Sequence, residues 1–233
     1  VHEYDLCTST NLVAAGLAAW SAVRAVEQTA GRGRFQRSWI SDRGGLWLSA
    51  VLPTKPNSPE WRFLPLAVGL TVCEVMASLG VKPRLRWPND VLVNRQKLAG
   101  ILIDQFSPHL AVAGLGINVT NDPESRDLAL RGATTSLACL LGTPPTLEDL
   151  TRQILDHLHA VCTTLQSHGP QALLTRVNGL WREPRPVKLD LDGREVRGLF
   201  TGVDADGRLS LRSQEDTLQF FEPQQVRLLR ELD

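Results

Sequence analysis

The sequence predicts an α+β fold over residues 1–182 and a small all-β unit over residues 183–233, and three observations carry that reading. The first two thirds alternate short β-like runs with helical ones. After about residue 183 the texture becomes short alternating runs separated by Asp192-Gly193 and Asp206-Gly207, pairs that favour tight hairpins. The chain is 233 residues long with 42% hydrophobic residues, enough to bury a core without metal or disulfide staples.

Residues 2–6 read as a strand. Ser9, Thr10 and Asn11 then precede an alanine- and leucine-rich stretch, a capped helix start that we extend to about Trp20. Residues 22–27 are β-like, 29–45 are loop, and 46–52 form a buried-strand run. A helix is expected over 64–79, stopped by Gly80. Short strands follow at 85–87 and 91–93, then a turn at 94–96, then strands at 97–105 and 110–118. Apolar residues keep helical spacing between Leu147 and Leu165, and a second helix covers 170–180. The terminal strands fall at 187–191, 196–203, 209–211 and 218–221.

The 25 basic and 25 acidic side chains cancel, so no broad electrostatic footprint for nucleic acid or a membrane surface exists. No apolar run approaches the ~18 residues of a spanning helix. The four cysteines form no CxxC pair and the five histidines no HExxH, so no structural metal site is expected. Scattered cysteines flanked by apolar residues read as buried thiols in a reducing compartment, which points to the cytoplasm.

Three segments carry chemistry. Residues 28–39, QTAGRGRFQRSW, interleave Arg32, Arg34 and Arg37 with Gly31 and Gly33. Glycines let backbone N–H groups approach an anion, and arginines present forked donors that match phosphate oxygens. A solvated surface loop explains the same composition. GxGxxG fails because Gln36 holds the third glycine position, and no Gly-Lys pair exists to make a Walker A loop. Residues 86–100, RWPNDVLVNRQKLAG, place Asn89 and Asp90 after a strand and Lys97 seven residues beyond Asp90. A hairpin across 94–96 brings Lys97 toward that carboxylate, and lysine is scarce, with Lys55, Lys82 and Lys188 the only others. A surface ion pair worth roughly 0–1 kcal/mol is the competing reading. GLGIN at 114–118 ends a β run with glycines, where either a ligand or a tight turn is expected.

In combination these segments resemble the biotin–protein ligases, which attach biotin to carboxylase carrier domains. STN at 9–11, EQTAGRGR at 27–34 with Arg37 and Trp39, RWPNDVLVNRQKLAGIL at 86–102, GLGIN at 114–118 and the terminal β unit match in order. The resemblance implies a mixed sheet with flanking helices, like class II aminoacyl-tRNA synthetases, followed by a small Src-homology-3-like β-barrel. It implies biotin and ATP as substrates, Mg2+ with the ATP, a biotinyl-5′-AMP intermediate and a biotin carboxyl carrier protein as partner. It also leaves a homodimer open, since both monomers and dimers occur in the family.

The same resemblance assigns residues. Lys97, Arg34 and Asp90 are the catalytic set, with Lys97 against both the carboxyl and the α-phosphate and Asp90 as orienter or general base. Ser9, Thr10, Asn11, Gln28, Gly31, Arg32, Gly33, Gly100 and Gly116, with Lys97, are the biotin set. Arg34, Arg37, Trp39, Asn89 and Asn118, with Lys97, are the nucleotide set, Trp39 forming a wall against adenine.

Departures exist too. The family usually has glycine at Gln36, so a required positive φ would carry a penalty near 1 kcal/mol. Arg86 replaces a more usual lysine, and the stretch from Asn11 to Gln28 is short. A strand at the very start leaves no room for the DNA-binding module of some members, so a monofunctional ligase is expected. A lipoyl or octanoyl transferase of the same fold, a non-catalytic biotin or nucleotide sensor, and an RNA-binding module are the rival readings.

Overall fold

A computed structural model describes residues 1–55, 60–181 and 184–232, with the side chains of Glu60 and Trp61 left aside. The expected boundary between 182 and 183 lies outside the described residues.

The larger sheet has seven strands: β1 (His2–Cys7), β2 (Ala22–Gln28), β3 (Leu46–Pro53), β4 (Arg84–Arg86), β5 (Asp90–Val93), β6 (Gln96–Ser107) and β7 (Leu110–Ile117). Their order is β1-β2-β3-β7-β6-β5-β4, with β1 and β2 parallel and every other pair antiparallel. Alternation along β3 explains how the sheet serves two purposes. Leu46, Leu48, Ala50 and Leu52 face the main core with residues of α2 (Glu60–Ser78) and α4 (Leu147–His168). Val51 turns the other way, joining Val23, Val112 and Ala14 of α1 (Thr10–Ala14) in a second, smaller cluster. Ser49 and Trp47 share that second face, because side chains alternate across a strand.

The helix α4 carries the stripe read from spacing: Leu150, Ile154, Leu158, Val161 and Leu165 are all buried. The Thr146 hydroxyl accepts from the Asp149 amide at its start, and Gly169 at φ 73° ends it. Two short helices complete this part, α3 (Leu137–Leu141) and α5 (Gln171–Gly179). The helix expected up to Trp20 stops at Ala14, and Trp20 instead donates its amide to Val51 across the sheet edge. Gly16 follows at once, and helix propagation past it forfeits about 1 kcal/mol relative to alanine.

Residues 185–231 form a five-stranded antiparallel sheet from β8 (Arg185–Leu191), β9 (Arg194–Val203), β10 (Leu209–Arg212), β11 (Leu218–Phe221) and β12 (Leu228–Glu231), ordered β11-β10-β9-β8-β12. Asp192 and Gly193 both take positive φ, 60° and 93°, as a tight hairpin turn demands. This sheet docks on the first through specific bonds. Trp87 is buried and its indole donates to the Gly207 carbonyl at 2.9 Å, while the Trp181 indole donates to Leu85 and its ring meets Phe200 edge-on. The Asn178 side chain spans both backbone groups of Val203.

All four cysteines are free. Burial pushes the thiols of Cys73 and Cys162 up to about 12, but Cys139 is exposed, contrary to the expectation of uniformly buried thiols. Among the described residues no helix is long and apolar enough to cross a membrane.

Candidate active site

The arginine-glycine loop is folded, not loose. Arg32 and Ser38 form an isolated antiparallel bridge, the Trp39 amide donates to Gly31, and the Gly33 amide donates to Arg37. The result is a miniature hairpin with Arg34–Gln36 at its tip. Phe35 and Gln36 both hold positive φ, 55° and 59°. The conditional strain at Gln36 is therefore real: each non-glycine residue in this region gives up roughly 1–2 kcal/mol. Gln36 is exposed, so its backbone strain is not offset by burial of its side chain. We expect Gln36→Gly to raise the unfolding midpoint, by up to about 1 kcal/mol of stability, in a thermal melt without ligand. A lower midpoint would mean that glycine's added freedom in the unfolded chain outweighs the relieved strain.

The second segment is ordered by its turn. Asn94 and Arg95 take φ 50° and 68°, so β5 and β6 fold back as expected and deliver Lys97 to Asp90. The Lys97 ammonium lies 2.7 Å from one Asp90 oxygen, and Arg86 lies 2.6 Å from the other. The Asp90 side chain is only 16% exposed, so this is not the weak surface pair. Burial alone would raise its pKa, but Lys97 and then Arg86 outweigh that and hold the carboxyl below the usual carboxylate range. The backbone of Lys97 is clamped as well, donating to Ala133 and accepting from Thr135.

Both segments open on one cavity of about 360 Å3, within the range of small-molecule sites. Of the sixteen residues assigned from the sequence, fifteen line it: Ser9, Thr10, Asn11, Gln28, Arg32, Gly33, Arg34, Arg37, Trp39, Asn89, Asp90, Lys97, Gly100, Gly116 and Asn118. Gly31 does not. It sits at the base of the loop, where a Cβ would strike Ser41 and the Trp39 carbonyl, so its glycine serves the close approach of two strands.

The cavity is graded along its length. At one end, neutral polar groups are wired together. Ser49 donates to Asn11 at 2.6 Å and sits 2.7 Å from the Thr10 hydroxyl, and Thr10 donates through its amide to Gln28 at 2.8 Å. Asn11 donates to Asp104, and Gln28 donates to Ser41, which reaches the Trp39 carbonyl. Gly114 makes room for Asn11, whose Cγ would lie 2.9 Å from a Cβ there. In the middle, the Trp39 indole covers Gly100 and Gly116, and a Cβ on Gly116 would lie 2.5 Å from Trp39 Nε1. The glycines assigned to one ligand and the tryptophan assigned to another thus share a single surface. Trp39 Nε1 is buried without a hydrogen-bond partner, a rare condition in a folded protein. The Lys97 ammonium sits 4.9 Å over the same ring.

The far end is cationic. Arg34 donates to the carbonyls of Pro223 and Val226 in the turn between β11 and β12, and among the described residues none of Arg32, Arg34 and Arg37 pairs with a carboxylate. Burial draws the Arg34 pKa down, Asp90 opposes that and Arg37 adds to it. Two assigned residues are spent internally. Asn89 donates its amide to the Ile101 carbonyl at 2.8 Å and so ties the turn to β6. Asn118 is buried and exchanges bonds with Thr135, Lys97 and Asn121. Ser49, Ser41, Asp104 and Phe35 belong to this neighbourhood and were not found from the sequence. The only signal for Ser49 is a polar residue inside the otherwise apolar run LWLSAVL. No group of three or more His, Cys, Asp or Glu side chains among the described residues is arranged to hold a metal.

Comparison with known proteins agrees with this geometry. The Biotin/lipoate A/B protein ligase family matches residues 10–118, and the biotin protein ligase C-terminal domain matches residues 185–229. The biotin–[acetyl-CoA-carboxylase] ligase of Mycobacterium tuberculosis is 35% identical over 195 residues, covering 80% of this chain and 71% of that protein. The bifunctional ligase/repressor BirA of Bacillus spizizenii is 30% identical, covering 93% of this chain and 70% of its own. A solved biotin protein ligase from Aquifex aeolicus, in complex with biotin and ATP, superimposes with a TM-score of 0.85 at 23% identity, over 99% of this chain and 98% of that one. With both parts matched in order, and with the arginine loop and the Asp90–Lys97 hairpin meeting at one cavity, the chain belongs to the biotin protein ligase family.

Proposed function

We propose that the protein joins biotin to a lysine of a carrier domain through biotinyl-5′-AMP. The observation that carries this reading is the grading of one cavity from a neutral hydrogen-bonding end to an end that holds Lys97 and Arg34. A urea-type ring has both donors and acceptors and suits Thr10, Asn11, Gln28 and Ser49. A short aliphatic chain suits the middle, under Trp39. A carboxylate then reaches Lys97.

In the first step a biotin carboxylate oxygen attacks the α-phosphorus of ATP, the acyl–phosphate bond forms and pyrophosphate leaves. Two anions must meet, so fixed cations matter most. Lys97, held by Asp90, neutralises the carboxylate and the α-phosphate, and Arg34 and Arg37 take the remaining phosphate charge. Magnesium arrives with the nucleotide and spreads charge over its phosphates. In the second step the carrier amine, in its neutral form, attacks the acyl carbon, the amide forms, and AMP leaves while the proton released from the nitrogen passes to the departing phosphate or to solvent.

Asp90 fits this scheme as the residue that holds Lys97 and orients the amine. As a base it fits poorly, because Lys97 and Arg86 hold its carboxyl below the usual carboxylate range, far below that of a lysine ammonium. The name of the M. tuberculosis relative makes an acetyl-CoA carboxylase carrier the natural acceptor, and four free thiols suit a reducing, cytoplasmic setting.

The test mixes the protein with labelled biotin, MgATP and a carrier domain. Label on the carrier lysine, with AMP and pyrophosphate formed in equal amounts, is the expected result. Adenylate without transfer would instead identify a non-catalytic relative, and no adenylate would sink the reading.

A further inference from the structure

The tip of the arginine loop touches the second sheet in a way that the reaction just described does not require. Phe35, half-buried at that tip, has two guanidinium carbons close to its ring centre: Arg34 at 4.7 Å and Arg227 at 4.6 Å. Arg34 belongs to the loop. Arg227 immediately precedes β12, and its Nε donates to Asp192 at the β8–β9 turn at 3.1 Å. That partner's side chain is 79% exposed, so the ion pair contributes little and leaves the guanidinium free to serve the ring. The Arg227 backbone, by contrast, is fixed: its amide donates to Asp190, and Val226 just before it accepts from Arg34. A cation carried on a fixed backbone segment of the second sheet therefore meets the side chain of a backbone-strained residue in the arginine loop.

We propose that Arg227 is a positioning residue that latches the arginine loop shut through Phe35, so that the second sheet governs how long the activated intermediate is retained. The physical case is a balance. Left-handed conformations at Phe35 and Gln36 work against the closed loop. The cation–π contact and the bonds from Arg34 to Pro223 and Val226 work for it. A balance of terms this small is shifted by removing any one of them. The role rests on the ligase reading for the identity of what is retained, but the latch itself is a property of the chain alone.

Two measurements separate those claims. The first is amide hydrogen exchange of Gly33 and Trp39, whose N–H groups bridge the miniature hairpin, in the ligand-free protein. Arg227→Ala and Phe35→Leu are expected to speed exchange there about two- to fivefold, the range a single exposed cation–π contact supplies. The double variant should be no faster than either single one. Arg227→Lys, which keeps the cation, and Phe35→Tyr, which keeps the ring, should stay near wild type. Unchanged exchange in Arg227→Ala, additive effects in the double variant, or acceleration spread evenly through the chain would overturn the latch. The second measurement loads the protein with labelled biotin and MgATP, removes excess ligand and follows loss of label against an unlabelled chase. Escape should accelerate by the same factor in the same variants. If wild type accumulates no adenylate, the functional reading fails, while the exchange result still decides the latch.

Discussion

Lys97→Ala is expected to slow adenylate formation by about 100- to 1,000-fold, the effect of deleting one preorganised donor to developing charge, while lowering stability by about 1–2 kcal/mol. The asymmetry follows from the neighbours. Asp90 keeps Arg86 at 2.6 Å, so the buried carboxylate is not left alone when the ammonium goes. What is lost to folding is the 2.7 Å ion pair with Asp90, one contact over the Trp39 ring and the packing of a stem whose side chain is 27% exposed. Catalysis has no such substitute, because Arg86 lies on the other oxygen of Asp90 and Arg34 is bonded to the second sheet. Pyrophosphate release under saturating biotin and ATP, alongside a thermal melt, reads both quantities. Equal turnover in the two proteins would remove Lys97 from the chemistry.

Asp90→Asn should remove that asymmetry, with a large effect on folding as well as on activity. It leaves Arg86 and Lys97 facing each other across a neutral amide in a site that is mostly enclosed. Breaking a buried ion pair by removing one partner typically destabilises by 3–5 kcal/mol, and partial exposure here brings the expectation to about 2–4 kcal/mol. The effect has a pH signature. The native Asp90 carboxyl lies below its unfolded value near 3.9, so its stabilisation is complete above that value and fades as pH falls through the lower native one. Wild type and Asp90→Asn should therefore differ by a constant amount from about pH 5 upward and converge only in strong acid. Denaturant melts at pH 7, 5, 4 and 3 would show it. A gap that closes between pH 7 and 5 would mean that a different group supplies the difference.

The elements legible in the sequence are those set by local physics. The α4 stripe, the turn at Asn94 and Arg95 and the Asp192-Gly193 hairpin each depend on residues within a few positions of one another. What escaped depends on distant partners. β12 pairs with β8, its partner some forty residues earlier, and nothing in Leu228–Glu231 announces that. The order within the arginine loop comes from a bridge between Arg32 and Ser38 and from carbonyls of the second sheet, so composition alone left it indistinguishable from a mobile loop. The cavity residues were legible as motifs because glycines and charges stand out against apolar strands. Their division between ligands was not, since Trp39 reaches Gly100 and Gly116 only once β6 and β7 are side by side. Asn89 and Asn118 line the cavity, but their side-chain amides also donate to backbone carbonyls, which the sequence does not show.

Hairpin tips on a protein surface usually tolerate a residue more or less at little expense. The tip between β9 and β10 should not. The Gly207 carbonyl accepts the Trp87 indole N–H at 2.9 Å, and the Gly207 Cα sits close enough to α2 that a Cβ would lie 3.2 Å from the Arg62 carbonyl oxygen. Trp87 in turn stands three positions before Asp90. Lengthening that tip by one residue would thus be felt at the turn that carries Asp90, and an insertion scan of the C-terminal sheet should find its most inactivating position there.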